Sequence, residues 1–464
     1  MTAAEPIPNS PLRVAIIGSG PSGFYAAGQL LSTLGDGVEI DMYERLPTPF
    51  GLVRAGVAPD HPKIKSVIRV YEKTAANQNF RFFGNVEFGT HIHRHELDEH
   101  YHATIYAVGT PTDRTGDLPG EDLSGSWAAT EFVGWYNGHP DYQDLSFDLS
   151  CERAVVVGNG NVAMDVARML VLTPSELATT DIADQALEAL AASKVKEILI
   201  LGRRGPGQAA FTNPELREFG ELSDADIAVE PEGLDLSDAV LEEDADGTAT
   251  KNVEILREYA ARSVVGHNKR IVLRFLSSPV AINGTDRVES ITIARNELVV
   301  GSDHKPRAQM TQERETVEAG LIFRAIGYRG LPLPQVPFDD HSGLIPNTGG
   351  RVLEGEGVLT GHYVVGWIKR GPSGVIGTNK KDSLETVNLL LDDYAAGKLN
   401  APTAPHGAAT EAFVLERRPD LVDYAGWEVI DSLEKGRGEP VGRPRIKMTR
   451  IDEMLDAVVR PPSE

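Results

Sequence analysis

Two glycine-rich stretches carry the residues whose types and spacing best suit chemistry. Gly18-Ser-Gly-Pro-Ser-Gly23 has the spacing G-x-G-x-x-G, and Gly158-Asn-Gly-Asn-Val-Ala163 has the variant G-x-G-x-x-A. In such a turn the first glycine permits a tight reversal and the second lets the backbone approach a pyrophosphate. The third small residue lets a helix pack closely on a strand. Glu44 lies about 20 residues past the first turn, where a carboxylate can accept from both hydroxyls of a ribose. At the matching place after the second turn stand Arg203 and Arg204. A carboxylate there would repel a 2′-phosphate, whereas guanidinium forks bind it through charge-assisted hydrogen bonds. The first unit therefore predicts a bound dinucleotide, and the second predicts NADP(H) in preference to NAD(H). The plainer alternatives are a structural glycine turn and a pair of solvated arginines.

These turns need particular elements around them, and the sequence supplies them in order. Leu12–Ile17 (LRVAII) reads as a buried parallel strand. A helix follows with Ala26, Ala27, Leu30, Leu31 and Leu34 on one face, and then the strand Val38–Tyr43 ends at Glu44. The second unit repeats the pattern: strand Ala154–Val157, a helix carrying Val166, Ala167, Met169 and Leu170, and strand Val195–Leu201 before Gly202. A polar helical insertion, about 173–193, interrupts it. His102–Val108 and Leu321–Ile326 each run into a glycine, Gly109 and Gly327, and the region 264–300 reads as β-rich, with strands Ile271–Leu276 and Val288–Ile293. Five glycines between Gly361 and Gly377 suit a backbone lying close to a flat ligand, with Trp367 offering a large face or simply filling the core. Thr378 opens a predicted helix, Asn379–Leu391, and a last helix is predicted at Ile451–Val459.

Composition narrows the function. The 464 residues are too many for one compact core and suggest two domains, and 41% apolar with 24% charged residues is ordinary for a soluble globular chain. No apolar run reaches the roughly 20 residues of a membrane span. Met1 to Pro11 has neither the basic nor the apolar stretch of a secretory leader, so a cytoplasmic enzyme is expected. The single cysteine, Cys151, rules out an intrachain disulfide, a CxxC redox pair and a cysteine-ligated cluster, so redox chemistry must run on a bound cofactor. A net charge of −23 argues against nucleic acid or an anionic membrane as partner. Eleven acidic residues and no basic one fall between Glu221 and Thr250, which predicts a solvated, loop-rich insertion. The basic clusters around Lys63–Lys73, Lys369–Arg370, Lys380–Lys381 and Lys435–Arg450 are expected to be solvated faces.

Further segments sharpen the reading: Pro49-Phe-Gly-Leu-Val-Arg54, Gly56-Val-Ala-Pro-Asp-His-Pro62, Gly202-Arg-Arg-Gly-Pro206 and the run from Val365 through Gly-Trp-Ile-Lys-Arg-Gly-Pro-Ser-Gly to Lys381. With the second glycine motif, in this order and spacing, they make the chain resemble the adrenodoxin-reductase-like NADPH–ferredoxin reductases, over about 13–381. The resemblance implies an α/β fold of two Rossmann-like dinucleotide-binding domains, with an NADP domain (113–327) inserted into a discontinuous FAD domain (1–112 and 328–464). It implies FAD contacts at Ser22, Glu44, Leu52, Phe88, Trp367 and Gly374, Val375 and Ile376, besides the glycines Gly18, Gly20 and Gly23. It implies NADP contacts at Asn159, Gly160, Asn161, Val162, Arg203, Arg204, Glu215 and Gly374. Phe88 stands where relatives often have an aliphatic residue, a change that a backbone contact would survive.

What the resemblance implies chemically is hydride transfer from NADPH to FAD and then single electrons to an iron–sulfur ferredoxin, serving a cytochrome P450 or another acceptor. Such a transfer is mostly positioning, with the reacting atoms roughly 3–3.5 Å apart. His61, in a loop between Pro59 and Pro62, is the first residue expected near the stacked rings, with a purely structural histidine as the alternative. Glu218, one turn after Glu215, matches an acid that the family places near the nicotinamide. Asp165, early on the second helix, is the third catalytic candidate, or else caps or braces that helix. None of the three needs to act as a general base. An acidic ferredoxin would need a positive patch, for which Arg217 with Lys369 or Lys381 are expected. The competing functions are an NADPH diaphorase or quinone reductase, a flavin monooxygenase, and a non-catalytic NADPH-binding regulator.

Overall fold

The computed structural model describes residues 10–231, 234, 247–263, 265–301, 305–374 and 376–459. Val375 and residues 232, 233 and 235–246 of the acidic stretch, both singled out above, therefore lie outside the described residues.

The apolar runs build two sheets. The first has seven strands in the order Asn347–Thr348, Arg351–Glu354, Gly357–Val364, Ala103–Tyr106, Leu12–Ile17, Val38–Tyr43 and Phe80–Phe83. Leu12–Ile17 is an interior strand, parallel to Val38–Tyr43 in the register Leu12↔Val38 to Ile17↔Tyr43, and parallel to Ala103–Tyr106 on its other side. All six of its residues are buried, as expected when helices cover both faces of a parallel sheet. Arg13 is the exception in type. It is buried among apolar neighbours because Glu39 and Asp41 on the next strand accept from its guanidinium, and Thr410 ties the same group to the helix Gly407–Arg417.

The second sheet has six strands in the order Ser126–Ala128, Leu321–Arg324, Arg153–Val157, Glu197–Leu201, Lys269–Arg274 and Ala225–Val229, every recorded pair parallel. There is also a three-stranded antiparallel sheet, Ser277–Asn283, Ser290–Val300 and Pro306–Glu318; of the two strands predicted in the β-rich region, Val288–Ile293 falls in it, whereas Ile271–Leu276 corresponds to Lys269–Arg274 of the six-stranded sheet. The predicted insertion forms the short helices Pro174–Leu177 and Asp184–Ala191. Strands from both ends of the chain thus share the first sheet, and the second sheet draws on the sequence between. The two crossings between them run side by side, as Thr112–Asp113 pairs antiparallel with Tyr328–Arg329.

The C-terminal segment, which sequence reasoning tied to nothing, straps the two halves together. Arg443 donates to the carbonyls of Thr180 and Ile182 and pairs with Asp184, while Lys447 donates to the carbonyls of Arg54 and Asn137 and pairs with Asp181. Lys65 holds the same Asp181 at 2.6 Å. These lysines and Arg443 are buried or nearly so, which corrects the expectation of solvation for these three, whereas Lys63, Arg69, Lys73, Lys435, Arg437 and Arg450 are exposed as expected. The final helix falls at Ile451–Val459 as expected. Among the described residues no helix is long and apolar enough to cross a membrane.

At the second glycine turn the closest constraint is a crossing of backbones. Gly158 sits at φ +124°, and a Cβ there would lie 2.2 Å from the carbonyl oxygen of Ala325. Gly158→Ala should combine strain of about 1–3 kcal/mol with a backbone overlap, lowering the thermal midpoint by roughly 5 °C or more in a calorimetric scan. A midpoint within a degree of the parent would show that the turn is not fixed as described.

Candidate functional site

The first glycine turn is shaped around open space. A Cβ on Gly18 would meet the Ala107 carbonyl oxygen at 2.6 Å and one on Gly23 the Gly18 carbonyl oxygen at 2.5 Å, yet nothing lies within 4 Å of one on Gly20. The helix Pro21–Leu34 starts there with no side-chain cap, so its first N–H groups and positive dipole end face that space. Glu44 is oriented beside it: Ser19 donates to one carboxylate oxygen through both N–H and hydroxyl, at 3.1 and 2.6 Å, and the Leu46 N–H donates to the other at 3.2 Å. The loop Pro49–Arg54 closes over the turn. Phe50 adopts φ +84° with its N–H on the Ser19 carbonyl, a Cβ on Gly51 would touch Gly20 at 3.0 Å, and Leu52 is left 47% exposed.

Trp367 and its neighbours face the same region. Gly366, at φ +77°, brings the chain so near Ser22 that a Cβ would lie 2.2 Å from its hydroxyl oxygen. Asp382 accepts from the Gly366 N–H at 2.6 Å. Trp367 stacks on Tyr328 with centroids 5.3 Å apart, and its indole N–H is buried with no hydrogen-bond partner among the described residues. An orphaned buried donor and an apolar leucine left in solvent, beside an uncapped helix start, fit a flat polar ring system joined to a diphosphate. The helix that follows spans Ile376–Ala395 and so begins ahead of the predicted Thr378 start, with Gly374 exposed just before it. Phe88 is buried edge-on against Tyr106, so its ring is taken up by core packing.

The second turn repeats the open cradle. A Cβ on Gly160 would find only the Ala210 methyl, at 3.9 Å, and the helix Asn161–Val171 also starts without a side-chain cap. Asn161 accepts the Thr212 N–H at 2.9 Å, Asn159 packs against Gly202, and Val162 packs partly buried on the core. The backbones of Arg203 and Arg204 are pinned: Asn296 donates to the Arg203 carbonyl and the Leu276 N–H to that of Arg204. Their guanidiniums are exposed and make no ion pair with a described residue, so two unneutralised forks stand at the strand's carboxyl end on a pinned backbone.

Between the turns, the three catalytic candidates come together around a fourth residue that sequence reasoning missed. Arg168, on the second helix, has a side chain only 3% exposed. It donates to Asp60 at 2.6 and 3.2 Å, to Asp165 at 2.6 Å and to Glu215 at 3.3 Å, and lies 3.4 Å from Glu218. Glu218 in turn bonds His61 Nε2 at 2.8 Å. The i,i+3 spacing of Asp165 and Arg168 was the one local signal of this cluster. Burial is the largest influence and works against a charged His61, but the Glu218 hydrogen bond and the charges of Asp165 and Asp60 together outweigh it and raise the imidazole pKa. Burial also opposes ionisation of Glu218, yet His61 and Arg168 hold its pKa below the usual carboxylate value. Glu215 goes the other way, pushed up to about 7 by burial and then by Asp165. Asp165 is likewise raised by burial.

Lys369 does not join a surface patch. Its side chain is 9% exposed and pairs with Asp382 at 2.9 Å, which corrects its assignment to partner docking; Arg217, Lys380 and Lys381 are exposed.

Comparison with known proteins agrees with this geometry. The model of the pyridine nucleotide-disulphide oxidoreductase family matches residues 12–200. The chain is 50% identical over 456 residues to NADPH-ferredoxin reductase FprA of Mycobacterium tuberculosis, covering 96% of this chain and 98% of that one. It is 44% identical over 462 residues to the mitochondrial NADPH:adrenodoxin oxidoreductase of Salvelinus fontinalis, covering 97% and 91%. The solved structure of the M. tuberculosis FprA in complex with NADPH superposes with a TM-score of 0.91 at 49% identity, over 97% of this chain and all of that one.

Glu215 gives a signed test. Its folded pKa is above the ordinary carboxylate value of 4.5, so the folded state keeps a proton that the unfolded chain releases, and this stability drains away as pH rises from about 4.5 to 7. Glu215→Gln removes that drain. Relative to the parent, the variant should gain up to about 3 kcal/mol between pH 5 and pH 8 in denaturant unfolding. An unchanged difference across that range would contradict the assignment.

Proposed function

The chain belongs to the adrenodoxin-reductase-like NADPH–ferredoxin reductases, and from that premise we propose how its residues divide the work. The protein is a flavoprotein oxidoreductase that uses NADPH and FAD to reduce an iron–sulfur ferredoxin. The observation that carries the division is the contrast between Glu44 after one glycine turn and the free Arg203–Arg204 pair after the other.

In this reading the half built on the seven-stranded sheet (1–112 and 328–464) holds FAD. The N–H groups at the start of Pro21–Leu34 take the diphosphate, Gly20 leaves it room and Glu44 holds the ribose. Leu52, Trp367, Gly374 and Ile376 are the groups for the flat ring, with Ser22 supporting the chain at Gly366; Val375 is assigned to the same stretch. The half 113–327 holds NADPH, with Asn159 to Val162 at the diphosphate, Arg203 and Arg204 on the 2′-phosphate, and Glu215 on a ribose hydroxyl. When bound, FAD accepts a hydride from NADPH and releases electrons singly, chemistry that a chain with one cysteine has no side chain to supply. His61, Glu218 and Asp165 shape the space between the two cradles, and none is asked to take a proton from the nicotinamide. Burial raises the thiol pKa of Cys151, so that cysteine stays a quiet boundary residue, as a free thiol does in the cytoplasm, where we place this chemistry. The absence of a second cysteine sets the chain apart from disulfide-reducing members of the wider family.

Two measurements check the assignment. Replacing Arg203 and Arg204 together by Gln should weaken NADP+ binding by about 100-fold or more in isothermal titration and leave NAD+ binding within about threefold, since each charge-assisted contact contributes roughly 1.5–3 kcal/mol. Equal losses for both nucleotides would contradict a 2′-phosphate role. The exposed Arg217, Lys380 and Lys381 support docking of an acidic ferredoxin. Ferredoxin reduction should therefore fall steeply between 50 and about 500 mM salt, while bleaching of the flavin by NADPH stays constant. A flat profile would remove that surface from the account.

A further inference from the structure

We propose that Arg168 is a positioning residue for the reaction: it locks the Asp60–His61 loop of the first half to Asp165, Glu215 and Glu218 of the second, and so sets how the two cradles face each other. This rests on the functional reading above and goes beyond it, because that reading gives Arg168 no nucleotide contact of its own.

The geometry is specific. Asp60 and His61 are consecutive residues of a loop that belongs with the seven-stranded sheet. Each reaches across to the other half: Asp60 through a two-point contact with Arg168, at 2.6 and 3.2 Å, and His61 through Glu218 at 2.8 Å. The same oxygen of Glu218 that meets His61 lies 3.4 Å from the Arg168 guanidinium. One planar fork therefore fixes both members of the crossing pair, from both sides of the seam. A lysine could keep the charge and three donors, but they radiate from one ammonium point and cannot reach Asp60, Asp165 and Glu215 in the directions over which the planar fork spreads its own. The side chain is buried, so no water shell can substitute for the lost directions. Without the fork, three or four carboxylates would face one another with only His61 between them, and the loop would move away from the second half. A displacement of about 1 Å at such a point costs on the order of 100-fold in rate where reaction depends on alignment.

The rival account is that Arg168 merely fills and stabilises the seam. Two readouts on the flavin-loaded, full-length protein separate these accounts, using Arg168→Lys, Arg168→Met and the gentler Asp60→Asn. In single-turnover bleaching at saturating NADPH, Asp60→Asn and Arg168→Lys should slow reduction by about 10–100-fold, while NADP+ dissociation constants stay within about threefold. In nitrogen-15 spectra of histidine-labelled protein, the His61 Nε2 signal of each variant should move to the position seen in Glu218→Gln, reporting loss of that hydrogen bond. Folded variants that lose thermal stability but keep the parental rate and the parental His61 signal would overturn the proposal. Should the parent itself fail to bleach with NADPH, the functional reading falls, and the His61 signal alone decides the role of Arg168.

Discussion

Arg168 places a buried guanidinium within 3.4 Å of four carboxylates drawn from three separate segments, and much of the molecule's arrangement follows from satisfying it. A charge so far from water is stable only when paired and hydrogen-bonded on every side. Asp165 is supplied by its own helix, Glu215 and Glu218 by the helix Asn213–Phe219, and Asp60 by the other half of the protein. The seam is therefore held by an ionic contact that demands geometry. The strap of Arg443 and Lys447, and the pairing of Lys65 with Asp181, add further buried charges to the same seam. Together they hold two cradles, each shaped for a dinucleotide, in one orientation.

The cradles themselves are made by local rules, which is why they could be read from the sequence. A strand, a glycine turn and a helix start lie within about 20 consecutive residues, and the strands Leu12–Ile17 and Val38–Tyr43 fall where hydrophobic patterning puts them. Glu44 and the Arg203–Arg204 pair lie at positions dictated by the same unit. Other features were not local. Arg168 and Asp60 are 108 residues apart and Arg443 and Thr180 are 263 apart, so no window of sequence displays either contact. Arg13 sits inside an apolar strand because its partners come from the next strand and from a helix near the C-terminus. Phe50 takes a left-handed conformation between Pro49 and Gly51 because the loop must pass over the first turn, a constraint set by what lies beneath it. Lys369 looked like a surface cation beside Arg370 and proved to be the buried partner of Asp382.

Charge is sorted along the molecule. The chain as a whole is strongly acidic, yet two guanidiniums without an ion pair among the described residues stand beside the second cradle, and Arg217, Lys380 and Lys381 are exposed. At the centre, the carboxylates do not all ionise alike. Glu218 is held ionised against His61 and Arg168, whereas burial and Asp165 keep Glu215 protonated toward neutral pH. Neighbouring acids pushed in opposite directions let one cluster contain several carboxyl groups without an intolerable charge.

The most direct test of the central claim, two cradles of which the first holds FAD and the second selects NADPH, is an anaerobic absorbance titration of the purified protein with NADPH and NADH in parallel. The flavin spectrum should bleach with NADPH at concentrations far below those required of NADH. A colourless protein, or a flavin bleached equally by both nucleotides or by neither, would contradict it.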